Sequence, residues 1–220
     1  MSEKILQLRR PRRANDALID SLTPSERSNM IDAAASQLEE LFQVLRIDHR
    51  EDHNTRDTPR RVAKMLVEET LAGRFSPPPK ITTFDNAQAF EGMIVTGPIE
   101  VRSTCAHHMM PIIGEAYIGI LPSARGRIVG LSKYDRVVDH FCRRLQIQEE
   151  LTQQIGSYLM DLTSPRGLAV RISATHMCKT HRGVRATHQS RMTTFCYLGE
   201  FYGDPLLRQE FTKECVPGGQ

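Results

Sequence analysis

The cleanest hydrophobic alternation in the chain lies near its C-terminal end. Leu168, Val170, Ile172, Ala174 and His176 share one face of an extended segment, while Arg171, Ser173 and Thr175 occupy the other. A period of two predicts a strand with one buried face, and it sets His176 at the end of the core-facing row. Ile- and Val-rich runs at 93–95, 99–104, 113–121 and 127–131 read as further strands because Gly or Pro separates them, and 192–198 reads as another. Helical spacing appears elsewhere. Thr23-Pro24-Ser25-Glu26 opens a helix with proline in its first turn, and Leu38, Leu41, Phe42 and Leu45 form its apolar stripe. A second helix is expected from Thr58-Pro59 through Val62, Met65 and Leu66, ending at Gly73. Two more span 132–145 and 147–162, and a last one 205–213.

The order is two helices, four strands, two helices, two strands and a helix. It lacks βαβ alternation, so the expected class is α+β with an antiparallel sheet. Pro77-Pro78-Pro79 fits neither a helix interior nor a central strand and marks a joint. Three segments follow: a basic, mobile tail at 1–22, an N-terminal helical arm at 23–80, and a domain at 81–220 that holds the chemistry. The 220 residues, 40% hydrophobic and 25% charged, suffice for one sizeable core. A net charge of +3 is too mild for a nucleic-acid-binding surface over the whole molecule. Only the tail cluster Arg9-Arg10-Pro11-Arg12-Arg13 offers a local basic patch. The cysteine count is five, an odd number, and no apolar leader precedes Arg9. Together with the lack of any long apolar run, this leads to the expectation of a reduced, cytoplasmic protein without membrane spans.

Chemistry concentrates in two short pieces. Ser103-Thr104-Cys105-Ala106-His107-His108 and Thr175-His176-Met177-Cys178-Lys179 each close a predicted strand and together offer two thiols and three imidazoles. Thiolate sulfur and imidazole nitrogen suit zinc, and a catalytic zinc keeps three protein ligands and an open position. Cys105, His108 and Cys178 form such a set, with His107 and His176 left beside the metal to move protons. Four ligands, Cys105, His108, His176 and Cys178, would instead close a structural site, and spacing does not decide between the two. Singly, each cysteine also reads as a small core residue. Arg60, Arg61 and Lys64 put positive charge near a helix N-terminus, where a bound anion would offset it.

From about residue 58 to 211 the chain resembles GTP cyclohydrolase I. The matching features are Thr58-Pro59-Arg60-Arg61-Val62-Ala63-Lys64-Met65, Ser103-Thr104-Cys105, His107-His108, Gly130-Leu131-Ser132-Lys133, Gln148-Glu149-Glu150-Leu151-Thr152-Gln153-Gln154-Ile155, and His176-Met177-Cys178 followed by Arg182-Gly183. The order of these matches is more specific than any one of them. The resemblance implies the T-fold, a β-β-α-α-β-β unit, and a homodecamer of two pentamers with shared active sites. It implies zinc on Cys105, His108 and Cys178, proton transfer by His107 and His176, and a guanine edge held by Glu149 with Gln148. Ser132 and Lys133 would meet the ribose and phosphates, and Arg61, Lys64, Arg136 and Arg182 would surround the triphosphate. The implied reaction takes GTP and water to 7,8-dihydroneopterin triphosphate and formate, starting with attack on C8 by water whose pKa the metal has brought to about 7. Ser132 would assist the later proton transfers. No membrane or nucleic acid is expected as a partner.

Two positions depart from the family pattern. Ala106 stands where a carboxylate is usual, and His181 where an apolar or small residue is more frequent. Both lie around the site, so a second reading is a diverged T-fold enzyme acting on another purine nucleotide or stopping after ring opening. A third, from the four-ligand option and the basic tail, is a non-catalytic structural-zinc protein that binds nucleotides or nucleic acid through Arg9 to Arg13.

Overall fold

The structure is a computed structural model that describes residues 13–17 and 22–215. The basic positions 9–12 and the Gly-rich end at 216–220 lie outside the described residues. The chain divides into two compact units at Pro77/Pro78.

In the first unit, α1 (Pro24–Val44) starts with a capping box: the Glu26 N–H donates to Thr23 Oγ1, and the Thr23 N–H donates to Glu26 Oε2. Its buried positions are Ile31 and Ala35, which pack with Ala63, Val67 and Phe75. The expected stripe is only partly buried. Leu38 joins the cluster, whereas Leu41 and Leu45 are exposed. The second helix is broken as well. The α-helical part, α2 (Thr58–Lys64), gives way to a π turn at Met65–Thr70 and a 3-10 turn at Ala72–Arg74. Its basic residues find carboxylates: Arg60 pairs with Asp32, Arg61 with Asp57 at 3.2 Å and Lys64 with Glu68 at 3.8 Å. The Arg74 guanidinium donates to the carbonyls of Arg13, Ala14 and Asp16, which ties down residues 13–17.

The second unit holds the main sheet. Its strands are β2 (Ile94–Cys105), β3 (Pro111–Leu121), β5 (Leu145–Gln146), β6 (Gly167–His176) and β7 (Met192–Gly199), in the order β5-β2-β3-β6-β7. All neighbours are antiparallel except the short parallel pair β5/β2. The two strands expected at 93–95 and 99–104 are one, with a register shift between Thr96 and Ile99 around Gly97-Pro98. The run at 127–131 does not join this sheet. As β4 (Arg127–Val129) it pairs with β1 (Thr83–Asp85), a strand that lacks any apolar run to announce it.

Helices α3 (Ser132–Cys142) and α4 (Gln148–Thr163) lie against one sheet face, giving the order β-β-α-α-β-β of the T-fold. In α3, Tyr134, Val137, Val138 and Phe141 point inward at helical spacing; in α4, Leu151, Ile155 and Leu159 do so. They meet Val101, Ile112, Ile118, Leu168, Val170 and Ile172 from the strands. The opposite face of β6 is also buried, which its polar alternation did not announce. Ala169 and Tyr117 pack there with Phe201 of α6 (Glu200–Gly203) and Phe211 of α7 (Pro205–Glu214). Phe211 comes so close to Gly119 that a Cβ there would sit 2.6 Å from its ring. No helix among the described residues is long and apolar enough to cross a membrane.

Candidate metal centre and active site

Three strand ends converge at one edge of the second unit. Cys105 ends β2, and its N–H donates to the Met110 carbonyl while its own carbonyl accepts from Met109, closing a tight turn into β3. The parallel strand β5 supports that turn: Cys105 registers with Gln146, and the Ala106 N–H donates to the Gln146 carbonyl. His176 ends β6 opposite Ile112 of β3, and the short helix α5 (Met177–Thr180) presents Cys178 immediately afterwards.

The two sulfurs, Cys105 Sγ and Cys178 Sγ, are 3.6 Å apart. A ring nitrogen of His176 completes a trio whose ligand atoms all lie within 4.8 Å of one another. Two soft sulfurs and an imidazole form a donor set that fits a borderline-soft divalent cation such as zinc. His107 Nδ1 sits 3.8 Å from Cys105 Sγ. His108 stands apart from the trio, where Arg182 donates to its Nε2 at 3.0 Å. The sequence expected His108 as a ligand and His176 beside the metal, whereas here His176 lies with the sulfurs.

Electrostatics follow burial. Burial pushes the Cys178 thiol up, and the adjacent Cys105 sulfur adds to the shift. At neutral pH a cation must therefore displace the Cys178 proton to gain that ligand. Burial holds the His176 imidazole below its ordinary range, with Glu149 opposing and Lys179 and His107 reinforcing the shift. His176 is thus a neutral base at pH 7.

The trio borders a pocket of about 460 Å³ whose wall includes His107, Gln148, Glu149, Lys179 and Arg191. Glu149 is exposed in the first turn of α4, where the helix dipole favours a carboxylate. Gln148, expected beside Glu149 at the guanine edge, faces inward. It is fully buried, its Nε2 donates to the Ile172 and Met192 carbonyls and Thr194 Oγ1, and its Oε1 meets His176 Nε2 at 2.7 Å. Ser132, Lys133 and Arg136 sit on the first turns of α3, outside the residues lining this pocket, and Arg61 and Lys64 belong to the first unit. Sequence reasoning missed Gln146, Lys179, Ser190 and Arg191. Lys179 Nζ donates to Ser190 Oγ at 2.8 Å, and Arg191 donates to the Ser173 carbonyl at 2.8 Å. The adjacency of Lys179 to Cys178 was the one available signal.

The family model described as GTP cyclohydrolase I matches residues 34–216. The GTP cyclohydrolase 1 of Shewanella oneidensis is 40% identical over 190 residues, which cover 86% of this chain and 85% of that protein. The chain belongs to the GTP cyclohydrolase I family. The GTP cyclohydrolase 1 of Flavobacterium johnsoniae is 37% identical over 182 residues, 82% of this chain and 79% of its own length. Among solved structures, the apo archaeosine synthase QueF-Like overlaps 49% of this chain and 92% of its own at a TM-score of 0.38 and 15% identity, too slight a likeness to argue from. Membership of the GTP cyclohydrolase I family makes the chain an enzyme, and the pocket beside the sulfur pair is the candidate for its active site.

Proposed function

We propose that this enzyme converts GTP and water to 7,8-dihydroneopterin triphosphate and formate, the opening step of folate and pterin synthesis, with zinc as its metal. The observation that carries the reading is the sulfur pair at 3.6 Å, with an imidazole beside it, bordering a pocket walled by Glu149. Cys105, Cys178 and one histidine would hold the metal. We assign that histidine as His108, following the family resemblance. Bound there, zinc supplies a water of pKa about 7 and hence hydroxide at neutral pH.

The remaining work falls to the chain's own side chains. Glu149 accepts two adjacent N–H groups of the guanine edge and fixes the plane of the base. His176, neutral at pH 7, exchanges a proton with the imidazole ring nitrogen of the substrate as that ring opens, and His107 assists the water. Ser132 takes part in the later proton transfers on the opened ribose. Lys133, Arg136 and Arg182 bind the phosphates, with Arg61 and Lys64 supplied from a neighbouring copy. Such sharing is supported by the sheet's edges: among the described residues β7 has a partner on one side only, and β5 covers only Thr104 and Cys105 of β2. Open edges are templates for pairing with another chain, in keeping with a homodecamer.

Cys178→Ser is the direct test. The variant should lose both bound zinc and GTP turnover; retention of full turnover would sink the proposal.

A further inference from the structure

The hydrogen bonds behind His176 have only one consistent assignment of protons. Thr152 Oγ1 donates to the Gln148 carbonyl at 2.7 Å, which uses its single proton. The contact between Thr152 Oγ1 and Thr194 Oγ1, also 2.7 Å, must then be donated by Thr194. Thr194 Oγ1 is left as an acceptor toward Gln148. The atom of Gln148 that faces it, at 3.1 Å, also faces the carbonyls of Ile172 at 3.2 Å and Met192 at 3.0 Å. Three acceptors require that atom to be the amide nitrogen. The oxygen therefore faces His176, and an amide oxygen only accepts, so the proton at 2.7 Å belongs to His176 Nε2.

We propose that Gln148 is a positioning residue that fixes a proton on His176 Nε2, so that proton exchange at this ring is left to Nδ1. Gln148 then acts on the reaction through His176 rather than by touching guanine. Its full burial supports this, as does the commitment of both amide atoms to protein partners. A side chain locked by its own second partners holds its neighbour in one orientation, and loss of such support costs about tenfold to a hundredfold in activity or metal affinity. The proposal rests on the GTP reading for its kinetic consequence, although the Nε2 proton itself does not.

Two measurements test it. Solid-state 15N spectra of zinc-loaded, 15N-histidine-labelled protein, with His176 assigned by its loss in His176→Ala, should show a protonated Nε2. A protonated Nδ1 with a bare Nε2 would overturn the proposal whether or not the protein turns over GTP. Gln148→Leu should lower kcat for GTP about tenfold to a hundredfold with KM unchanged. In the His176→Ala background the same substitution should leave the calorimetric Kd for GTP within about twofold. A tenfold weakening there would mean that Gln148 touches the base, and would also overturn it. Failure of the wild type to release formate would refute the GTP reading alone, since the spectra still report the Nε2 proton; should Gln148→Leu fail to fold, they decide the question unaided.

Discussion

Gln146→Leu removes a buried amide that braces the turn carrying Cys105. Gln146 is fully buried; its Nε2 donates to the Phe141 carbonyl at 2.6 Å and to Gln154 Oε1 at 3.0 Å, while its backbone carbonyl holds the Ala106 N–H. Phe141 lies in the last turn of α3, where carbonyls lack intrahelical donors. Stranding that carbonyl costs about 1–3 kcal/mol, and losing the bond to the half-buried Gln154 costs about 1 more. The added apolar burial of leucine returns roughly 1 kcal/mol. The net expectation is a loss of about 2 kcal/mol, which in a chain of this length lowers Tm by about 4–8 °C. Urea and thermal unfolding of the metal-free protein would measure it, with zinc competition by a chelator as a second readout. The backbone bond to Ala106 remains, so zinc affinity should fall less than tenfold. A stability change under about 0.5 kcal/mol would refute the reasoning, because it would mean that the amide has no bonded role in the fold.

Three other outcomes are expected. Burial, then the Arg144 and Arg143 charges, push His140 down to about 4; the folded state binds its proton less readily, so stability is full above about pH 6.5 and falls as pH drops toward 4. Allowing for solvent screening, the loss is about 2–3 kcal/mol, and His140→Gln, which still accepts from Arg144, should flatten urea-unfolding stability across that window. Phe211→Ala should cost about 3–5 kcal/mol in denaturant unfolding, since the ring is fully buried against Gly119, yet leave zinc content unchanged. Glu149→Gln should weaken GTP binding by about 1.5–3 kcal/mol, the worth of a hydrogen bond to a charged group, while calorimetric zinc binding is retained.

The helix-spaced stripes of α3 and α4 and the alternation of β6 were legible because Leu, Val, Ile and aromatic residues recur on the face of each that meets the α3/α4 core. The second covered face, on β6 and its neighbour β3, was not, because Ala169 of β6 and Gly119 of β3 are small residues that reveal their burial only once Phe201 and Phe211 cover that face. β1 was missed since a three-residue strand pairs through backbone alone. At the site, Cys105, His176 and Cys178 were legible from chemistry and strand ends. The contacts within the cluster were less so: the hydrogen bonds of His108 with Arg182 and of Gln148 with His176 join residues 74 and 28 positions apart, which no local spacing encodes. The charge expected to hold an anion at α2 is matched locally by Asp32, Asp57 and Glu68, acidic residues that sequence reasoning had not paired with it.

The central claim is tested most directly by incubating zinc-loaded protein with GTP and measuring formate and dihydropterin together. The account predicts equal yields of the two, which would also mean that Ala106 is tolerated in place of a carboxylate. Formate without pterin, or neither product despite bound zinc, would contradict it.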